Sequence, residues 1–408
     1  MTAGRPAPTP ADPTPGRRLT VASRRPGSAA YPGPHGTDEG DARGDLVGRV
    51  TLQTVADQVG VSRMTVSNAF SRPDQLSAEL RARILAAAEE LGYIGPDPAA
   101  RALARGTTGA VGVLLTDSVG AAFQDDVATG FFGALAEELA PTGMAVALLP
   151  SGGSADKIPA RDVPIDGALV YACAGDAEAL GWLQKRRLPL VFVDQAPTGG
   201  ADAVLLDDVE GGRLGAQHLL DLGHRRVGLL TMGSQGRASG LVEPREAGSA
   251  NYVAAERVRG WLGALEPAGA QVLAVQMHEN TEDAAHEGAT VLLEAADRPT
   301  GIVCFSDRMA YGAVRAAHDL GLRVPEDVSV VGYDDSPLAS RVRPSLTTVR
   351  QDVAEKGRAA ARVLTAAIER ARTGVPSEGR VVRLPAELVV RRSTGPAPDE
   401  VRTAADDA

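Results

Sequence analysis

The chain of 408 residues predicts an all-α helix-turn-helix headpiece followed by a larger α/β domain of two doubly wound parallel-sheet lobes. Three observations carry that prediction. Residues 51–70 divide into two short helices about a glycine. From Ala110 onward, short apolar runs alternate with stretches whose apolar residues recur at helical spacing, the pattern of parallel strands covered on both faces. Those runs are too many for one ordinary sheet, so two lobes are the economical arrangement.

The first helix begins at Thr51 and the second at Ser62, each hydroxyl suited to an N-cap, with Gly60 in the turn where a residue without Cβ tolerates positive φ. Small Ala56 permits a close crossing, and Leu52, Val55 and Val66 face a shared core. Arg63, Met64, Ser67 and Asn68 are left outward near the start of the second helix, where a helix-turn-helix presents side chains to base edges. With Thr51, Ser62 and Thr65 they form the candidate DNA-facing set. An ordinary helical hairpin has the same apolar spacing, so the spacing alone does not decide. A third helix, capped by Ser77, places Leu80, Ile84, Ala87, Ala88 and Leu91 on one stripe and ends at Gly92.

Asp97 to Gly106 is a helix in miniature: a capping Asp97, Pro98 at the first helical position, four alanines and a terminal Gly106. It is shorter than the roughly 12 to 15 residues an isolated helix needs in water, so its order requires a support. Ala100 lies on it, and Leu103 stands near its centre between Arg101 and Arg105.

Expected strands in the larger domain are Val111–Leu115, Met144–Leu149, Gly167–Val170, Leu190–Val193, Ala203–Leu206, Val227–Leu230, Val272–Val275, Ile302–Phe305 and Val328–Val331, with helices such as Gly130–Leu139, Gly211–Leu222 and Met309–Leu320 between them. Ligands of such folds bind beyond the carboxyl ends of the strands. Asp117 and Ser118, with Phe123 shortly after, follow the first strand; Asp194, Ser306 and Asp307, and Asp334 and Asp335 follow later ones. Carboxylates accept from hydroxyl groups and an aromatic face stacks on C–H surfaces, which suits a small hydroxylated ligand held without a reaction. A polar residue at a strand end also caps the next helix, so Asp194, Ser306 and Asp307 have a purely structural alternative.

Net charge is −10, unusual for a nucleic-acid binder, but it is unevenly placed. Residues 49–106 carry 7 basic and 6 acidic groups, whereas residues 107–408 carry 29 and 41. The acidity belongs to the large domain, and the headpiece needs only a few arginines toward phosphates. Cys173 and Cys304 both lie in apolar runs and are expected as buried free thiols in a reducing cytoplasm. No apolar run approaches the roughly 20 residues of a membrane span. The first 48 residues hold few large apolar side chains and are expected as a disordered tail, in which Arg17, Arg18, Arg24 and Arg25 are nearly offset by acidic residues further along.

Other chemistries find no support. His218 and His224 sit near a helix end without metal-ligand spacing. Gly211 and Gly212 lack the P-loop and dinucleotide patterns, no nucleophile, base or metal set for an enzyme is present, and no cofactor is implied. The spacer 232–251 has no periodic apolar pattern and is expected as a long loop on the ligand side.

Residues 50–106 resemble the DNA-binding headpiece and hinge helix of the LacI/GalR family of bacterial transcription regulators. The resemblance continues to about Ser393 through Leu-Gly-His-Arg-Arg-Val-Gly-Leu-Leu (222–230), Ser306-Asp307-Arg308-Met309-Ala310, Val-Pro-Glu-Asp-Val-Ser-Val-Val-Gly-Tyr-Asp-Asp (324–335) and Leu-Thr-Thr-Val (346–349). It implies a second helix in the major groove, hinge helices of two subunits paired in the minor groove, and a leucine wedged into the base stack. Arg63, Met64 and Asn68 match the base-reading positions, Leu103 the wedge, and Arg257 and Asp334 the effector contacts. Many members carry Arg where this chain has Asn68, several sugar-responsive members carry Asn where it has Ser306, and Gly95 is one residue more than the commonest linker.

The implied protein is a cytoplasmic, homodimeric regulator, a repressor, with periplasmic-binding-protein-like lobes. Its partners are double-stranded operator DNA and a small sugar-like effector, with a purine or phosphorylated ligand as the alternative. The expected organisation is a tail at 1–48, a headpiece at 49–95, a hinge at 96–107, an effector and dimerisation domain at 108–395 and a tail at 396–408. A solute-binding protein of periplasmic type is the competing class; it shares the lobes but has no use for residues 50–106.

Overall fold

The computed structural model describes residues 50–95, 97, 101–102, 106–115, 119–151, 157–171, 178–233, 239–249, 251–377 and 379–398. It separates into two compact units that meet between Gly95 and Pro96. The tail at 1–48, Pro98, Ala100, Leu103, Asp117, Ser118 and Cys173 lie outside the described residues.

The smaller unit holds three helices, α1 (Leu52–Val59), α2 (Arg63–Ser71) and α3 (Ala78–Glu90). Thr51 and Thr54 form a capping box on α1, and Gly60 ends that helix at φ 76°, which leaves room for the sharp turn. Ser62 and Ser77 cap α2 and α3 by accepting from Thr65 and Leu80 N–H. Val55, Ala56, Val66, Ala69, Ile84, Ala87 and Ala88 form the buried core, with Leu52, Phe70, Leu80 and Tyr93 packed around it. The alanines let three short helices approach closely enough to bury an otherwise small amount of apolar surface.

The larger unit contains two sheets. The first joins β1 (Ala110–Leu115), β2 (Ala145–Pro150), β3 (Gly167–Tyr171), β4 (Leu190–Val193), β5 (Asp202–Leu206) and β12 (Val381–Leu384) in the order β12-β5-β4-β3-β1-β2. The second joins β6 (Arg226–Met232), β7 (Gly240–Val242), β8 (Gln271–Met277), β9 (Gly301–Cys304), β10 (Ser329–Asp334), β11 (Thr347–Gln351) and β13 (Ala386–Val389) in the order β13-β11-β10-β9-β6-β8-β7. The five-strand core of each sheet therefore has the same winding, with the first strand of each lobe beside its second and third. Helices flank the strands: α4 (Val119–Ala122), α5 (Asp126–Leu139), α6 (Pro159–Asp162) and α7 (Glu178–Lys185) in the first half, and α8 (Asp208–Asp221), α9 (Tyr252–Leu265), α10 (Glu282–Leu293), α11 (Asp307–Asp319), α12 (Pro337–Arg341) and α13 (Val353–Arg372) after them.

The chain passes between the sheets three times, after β5, after β11 and between β12 and β13. Helix α13 follows β11 but packs on the first lobe, where Ala360, Leu364 and Ile368 join Val113, Phe131 and Leu169. Leu206, Tyr333 and Val349 form a small cluster at the crossings. Asp207 N–H donates to Leu384 O at 2.9 Å there, so two crossing segments are tied to each other.

Two features depart from the sequence reading, and a third, at Gly211 and Gly212, agrees with its helix. The sheets are not wholly parallel, because β13 pairs antiparallel with β11 and β7 antiparallel with β8. Strand β7 lies inside the spacer 232–251, so part of the expected loop is an edge strand. Gly211 and Gly212 are packing residues of α8: a Cβ at 211 would collide with the Tyr333 hydroxyl and one at 212 with the Arg257 carbonyl. Most other strands and helices lie within a few residues of their predicted bounds. Cys304 is buried and free, and burial pushes its thiol up.

His224 is fully buried at the base of the second lobe. Its Nδ1 is 2.9 Å from Thr300 Oγ1 and its Nε2 is 3.1 Å from both Ser329 Oγ and Gly395 O. His218 Nε2 lies 2.9 Å from Thr394 Oγ1, so the two rings pin the C-terminal segment to the sheet. Burial lowers the pKa of both from the ordinary 6.5, with each helped or opposed by minor neighbours. A histidine whose folded pKa is depressed contributes full stability above its unfolded pKa and loses it as pH falls below that value. The melting temperature is therefore expected to hold above about pH 6.5 and to decline from there toward pH 5, and the decline is expected to shrink in His224→Gln. Fluorimetric melts across that range check it; a flat profile in the wild type would contradict the assignment.

Candidate functional site

Two regions gather the residues singled out by sequence. In the smaller unit, Ser62 spends its oxygen on capping α2, at 3.1 Å from Thr65 N and 2.8 Å from Thr65 Oγ1. Thr51 does the same for α1, at 3.4 Å from Thr54 N. The caps fix where α2 starts, and hence which side chains its first turn presents. Arg63 and Met64 are exposed there, Met64 by 70%. Thr65, Ser67 and Asn68 are half-buried. The Asn68 amide donates to Gln75 Oε1 at 3.2 Å, a partner the sequence reading did not foresee.

Beyond the headpiece, Asp97 O accepts from Arg101 N–H at 2.9 Å, the spacing of a helical turn. Thr107 N–H donates to Ala102 O at 3.2 Å, and Gly106 takes φ 67°, the left-handed ending that glycine favours at a helix C-terminus.

The second region lies at the carboxyl ends of the strands. Its centre is Arg257 on α9, 4% exposed. Nε donates to Asp208 Oδ1 at 2.9 Å, Nη1 donates to Phe305 O, and Asp334 Oδ1 lies 3.6 Å from Nη1. The guanidinium carbon also lies over Tyr333, 3.5 Å from the ring centre, with Phe305 at 4.7 Å. Burial works against its charge, but Asp208, Tyr333 and Asp334 outweigh burial and hold its pKa above the ordinary value. Burial pushes the carboxyl of Asp208 up and that of Asp334 well above the usual carboxylate range, with Arg257 pulling both back.

From Asp334 a hydrogen-bonded chain runs to the other lobe. Gln351 Nε2 donates to Asp334 Oδ1 at 2.6 Å, Lys356 Nζ donates to Gln351 Oε1 at 2.5 Å, and the same ammonium reaches Asp194 Oδ2 at 2.6 Å. Lys356 is 2% exposed. Asp125, the cap of α5, belongs to the same electrostatic group, since with Asp194 and Asp334 it adds to the effect of burial in raising the Tyr171 hydroxyl's pKa. Phe123 is exposed and lies 6.1 Å from Phe132, which is 5.8 Å from Tyr171. Arg308 on α11 spans the lobes by donating to Gln124 O, and donates also to Asn280 O at 3.4 Å.

Among the described residues, four non-glycine residues have positive φ, and three of them, Asp194 (55°), Asp334 (107°) and Asp335 (53°), follow or end strands at this cleft. Such backbone costs of order 1–3 kcal/mol each and clusters at functional sites. Asp335 is held by Arg350 at 2.7 Å and Arg391 at 2.5 Å.

Ser306 and Asp307 are turned into the protein. Ser306 caps α11 by accepting from Met309 N–H at 3.1 Å and donates to Asn280 Oδ1 at 2.6 Å. Asp307 spends both oxygens, on Thr348 Oγ1 at 2.5 Å and Ser336 N at 2.7 Å, and burial pushes its pKa up to about 7. It thereby ties the α12 turn to β11. The cleft thus brings together Asp194, Arg257 and Asp334 from the sequence set.

Residues 51–95 match the model of bacterial regulatory proteins of the lacI family, and residues 216–394 match that of a periplasmic-binding-protein-like domain. The HTH-type transcriptional regulator Rv3575c of Mycobacterium tuberculosis is 37% identical over 358 residues, 85% of this chain and 98% of that protein. The chain belongs to the LacI family. It is a DNA-binding transcriptional regulator and not an enzyme, which removes the solute-binding alternative. Among solved structures, this LacI-family chain is similar to the lac repressor dimer bound to operator and the anti-inducer ONPF, with TM-score 0.70, 26% identity and 85% and 99% of the two chains covered. It is also similar to the transcriptional regulator CelR in complex with cellobiose, with TM-score 0.58, 27% identity and 85% and 100% covered. LacI-family regulators bind operator DNA and small-molecule effectors. No helix among the described residues is long and apolar enough to cross a membrane, and none of their side chains cluster as a metal site.

Sequence reasoning missed Asp208, Gln351, Lys356 and Arg308. Asp208 was within reach, since it follows a predicted strand. Gln351 and Lys356 gave no signal, because the polar run 350–356 reads as a solvated turn and helix start.

Removing one partner of a buried ion pair leaves the other charged and unpaired, at about 3–5 kcal/mol. Arg257→Met is therefore expected to cost the regulator about 3 kcal/mol in urea unfolding, with Arg257→Met/Asp208→Leu recovering part of it. Equal stabilities of single variant and wild type would show that the pair does not bind the crossings together.

Proposed function

We propose that this regulator is a cytoplasmic homodimeric repressor whose operator affinity is set by a small polar effector, a sugar or sugar derivative, held between the two α/β lobes. The observation that carries the reading is the pairing, in one LacI-family chain, of a capped helix α2 with an outward first turn and a buried polar cleft at the carboxyl ends of both sheets. The boundaries follow the sequence: headpiece 49–95, hinge 96–107 and effector and dimerisation domain 108–395.

In this reading Arg63, Met64 and Asn68 meet base edges in the major groove, and Thr51, Ser62, Thr65 and Ser67 lie against the backbone or flanking bases. Ala100 and Leu103 act in the minor groove, and Asp194, Arg257 and Asp334, with Asp117 and Phe123 nearby, face the effector. One short recognition helix makes too few base contacts for useful specificity, and a two-fold pair doubles them. The effector selects one arrangement of the lobes, and the hinge carries that choice to the headpieces through the order of residues 97–106.

Footprinting on genomic fragments is expected to reveal a pseudo-palindromic site covered by two subunits; an asymmetric site filled by one subunit would overturn the dimer. Arg63→Ala and Asn68→Ala are each expected to lose about 1–3 kcal/mol on that site and much less on random DNA. Asn68 is the sharper test, because its present partner Gln75 must release it to a base.

Leu103→Ala is expected to weaken operator binding and reduce DNA bending, since an apolar wedge between base pairs trades unstacking for a bend that reaches more protein. Effector affinity and dimerisation should stay unchanged. A lowered melting temperature with an unaltered bend in a gel-based assay would place Leu103 in packing instead.

A further inference from the structure

Lys356 stands where an apolar side chain would cost less. It lies in the first turn of α13, where the helix macrodipole disfavours a cation, and it is 2% exposed, so its charge is stripped of water. Its ammonium is spent on Asp194 Oδ2 and Gln351 Oε1. Because Gln351 Oε1 accepts from Lys356, the Gln351 amide must donate onward, and it does so to Asp334. The donors of this chain that have partners among the described residues thus point at Asp194, Gln351 Oε1 and Asp334.

Two buried acceptors stand without a partner. Asp194 is 8% exposed and Gln195 is 6% exposed, and Asp194 Oδ1 and Gln195 Oε1 have no hydrogen-bond partner among the described residues. The backbone at Asp194, φ 55°, is unfavourable for a residue with Cβ, and the Lys356 bond fixes which oxygen is consumed. The carboxylates Asp125, Asp194, Asp208 and Asp334 stand against Arg257, Lys356 and, at the rim, Arg308. Arg257 is already committed to Asp208 and Phe305 O, and Arg308 to two backbone carbonyls.

We propose that Lys356 is the selectivity-determining positioning residue of the cleft: it holds Asp194 by one oxygen and leaves the other free to accept, so that the site takes uncharged polyhydroxy compounds and rejects their phosphorylated counterparts. The proposal rests on the sugar reading above and adds the charge of the ligand. A hydroxyl group donates to Asp194 Oδ1 without disturbing the chain. A phosphate group brings negative charge and acceptor oxygens against the unpartnered Asp194 Oδ1, while the described cations of the cleft already hold carboxylate, amide or carbonyl oxygens of the protein.

The test is calorimetry on the full-length protein with ribose, glucose and cellobiose, with ribose 5-phosphate and glucose 6-phosphate, and with purine bases. At least one neutral sugar is expected to bind and the phosphates to bind at least about tenfold more weakly. Lys356→Met is expected to weaken the neutral ligand by about tenfold or more and to narrow the gap between neutral and phosphorylated ligands. Asp194→Asn is expected to weaken it similarly, and the double variant to lose no more than the larger single loss, because both act on one contact. Lys356→Gln keeps a donor of similar reach and serves if the methionine variant does not fold. Tighter binding of a sugar phosphate would overturn this proposal while leaving the sugar reading intact. Binding of purines alone, or of nothing tested, would overturn both. Unchanged affinity in a folded Lys356 variant, or additive losses in the double variant, would reduce Lys356 to a structural role.

Discussion

The cleft at the carboxyl ends of the strands depends on how Arg257 is held. A buried guanidinium is tolerable only when each face and edge is satisfied, and here Asp208, the Phe305 carbonyl and Asp334 take the edges while Tyr333 takes one face. These partners come from α8, β9 and β10 and their ends, so one side chain draws together elements that are far apart in sequence. The close approach requires glycine at 211 and 212 of α8 and at 260 of α9, where a Cβ would collide with Tyr333, with the Arg257 backbone and with the Val209 carbonyl respectively. Side-chain electrostatics and helix packing are thus one constraint, not two.

The same logic extends across the lobes. Two sheets wound alike present the carboxyl ends of their strands to a common space, and three chain crossings join them. Buried charges at the crossings make the spacing of the lobes specific: Lys356, Gln351 and Asp334 link helix α13 and β4 of one lobe to β10 and β11 of the other. An apolar filling would stabilise the junction as well or better, but it would not distinguish one relative position of the lobes from another. In the proposed reading, a ligand entering the cleft acts directly on these few strong, directional bonds, which is the physical requirement for it to shift a conformational balance.

The headpiece works on a smaller scale. Its core is built from alanine and valine side chains with Ile84, and its helices are short, so capping by Thr51, Ser62 and Ser77 supplies an appreciable share of its order. The large domain is strongly acidic while the headpiece is nearly neutral, so the long-range field of the whole chain does not draw it to DNA. Affinity then has to come from close contacts, which suits a protein whose binding is meant to be switched.

The sequence by itself determined the helix-turn-helix, the alternation of strands and helices, the family, the positions of Asp194 and Asp334 beside strand ends and, through the family resemblance alone, the choice of Arg257. These are local properties: caps, glycine turns and apolar periodicity act over a few residues and survive in the linear order. Only the tertiary structure decided that Ser306 and Asp307 face inward as ties, that the spacer contributes the edge strand Gly240–Val242, and that Arg257 is matched with Asp208. Lys356 is the clearest case. In the sequence it is one charge in a polar helix start, and its burial exists only because β11 delivers α13 to the other lobe, against Asp194, 162 positions away. Burial and pairing are properties of the assembled fold, and no local pattern encodes them.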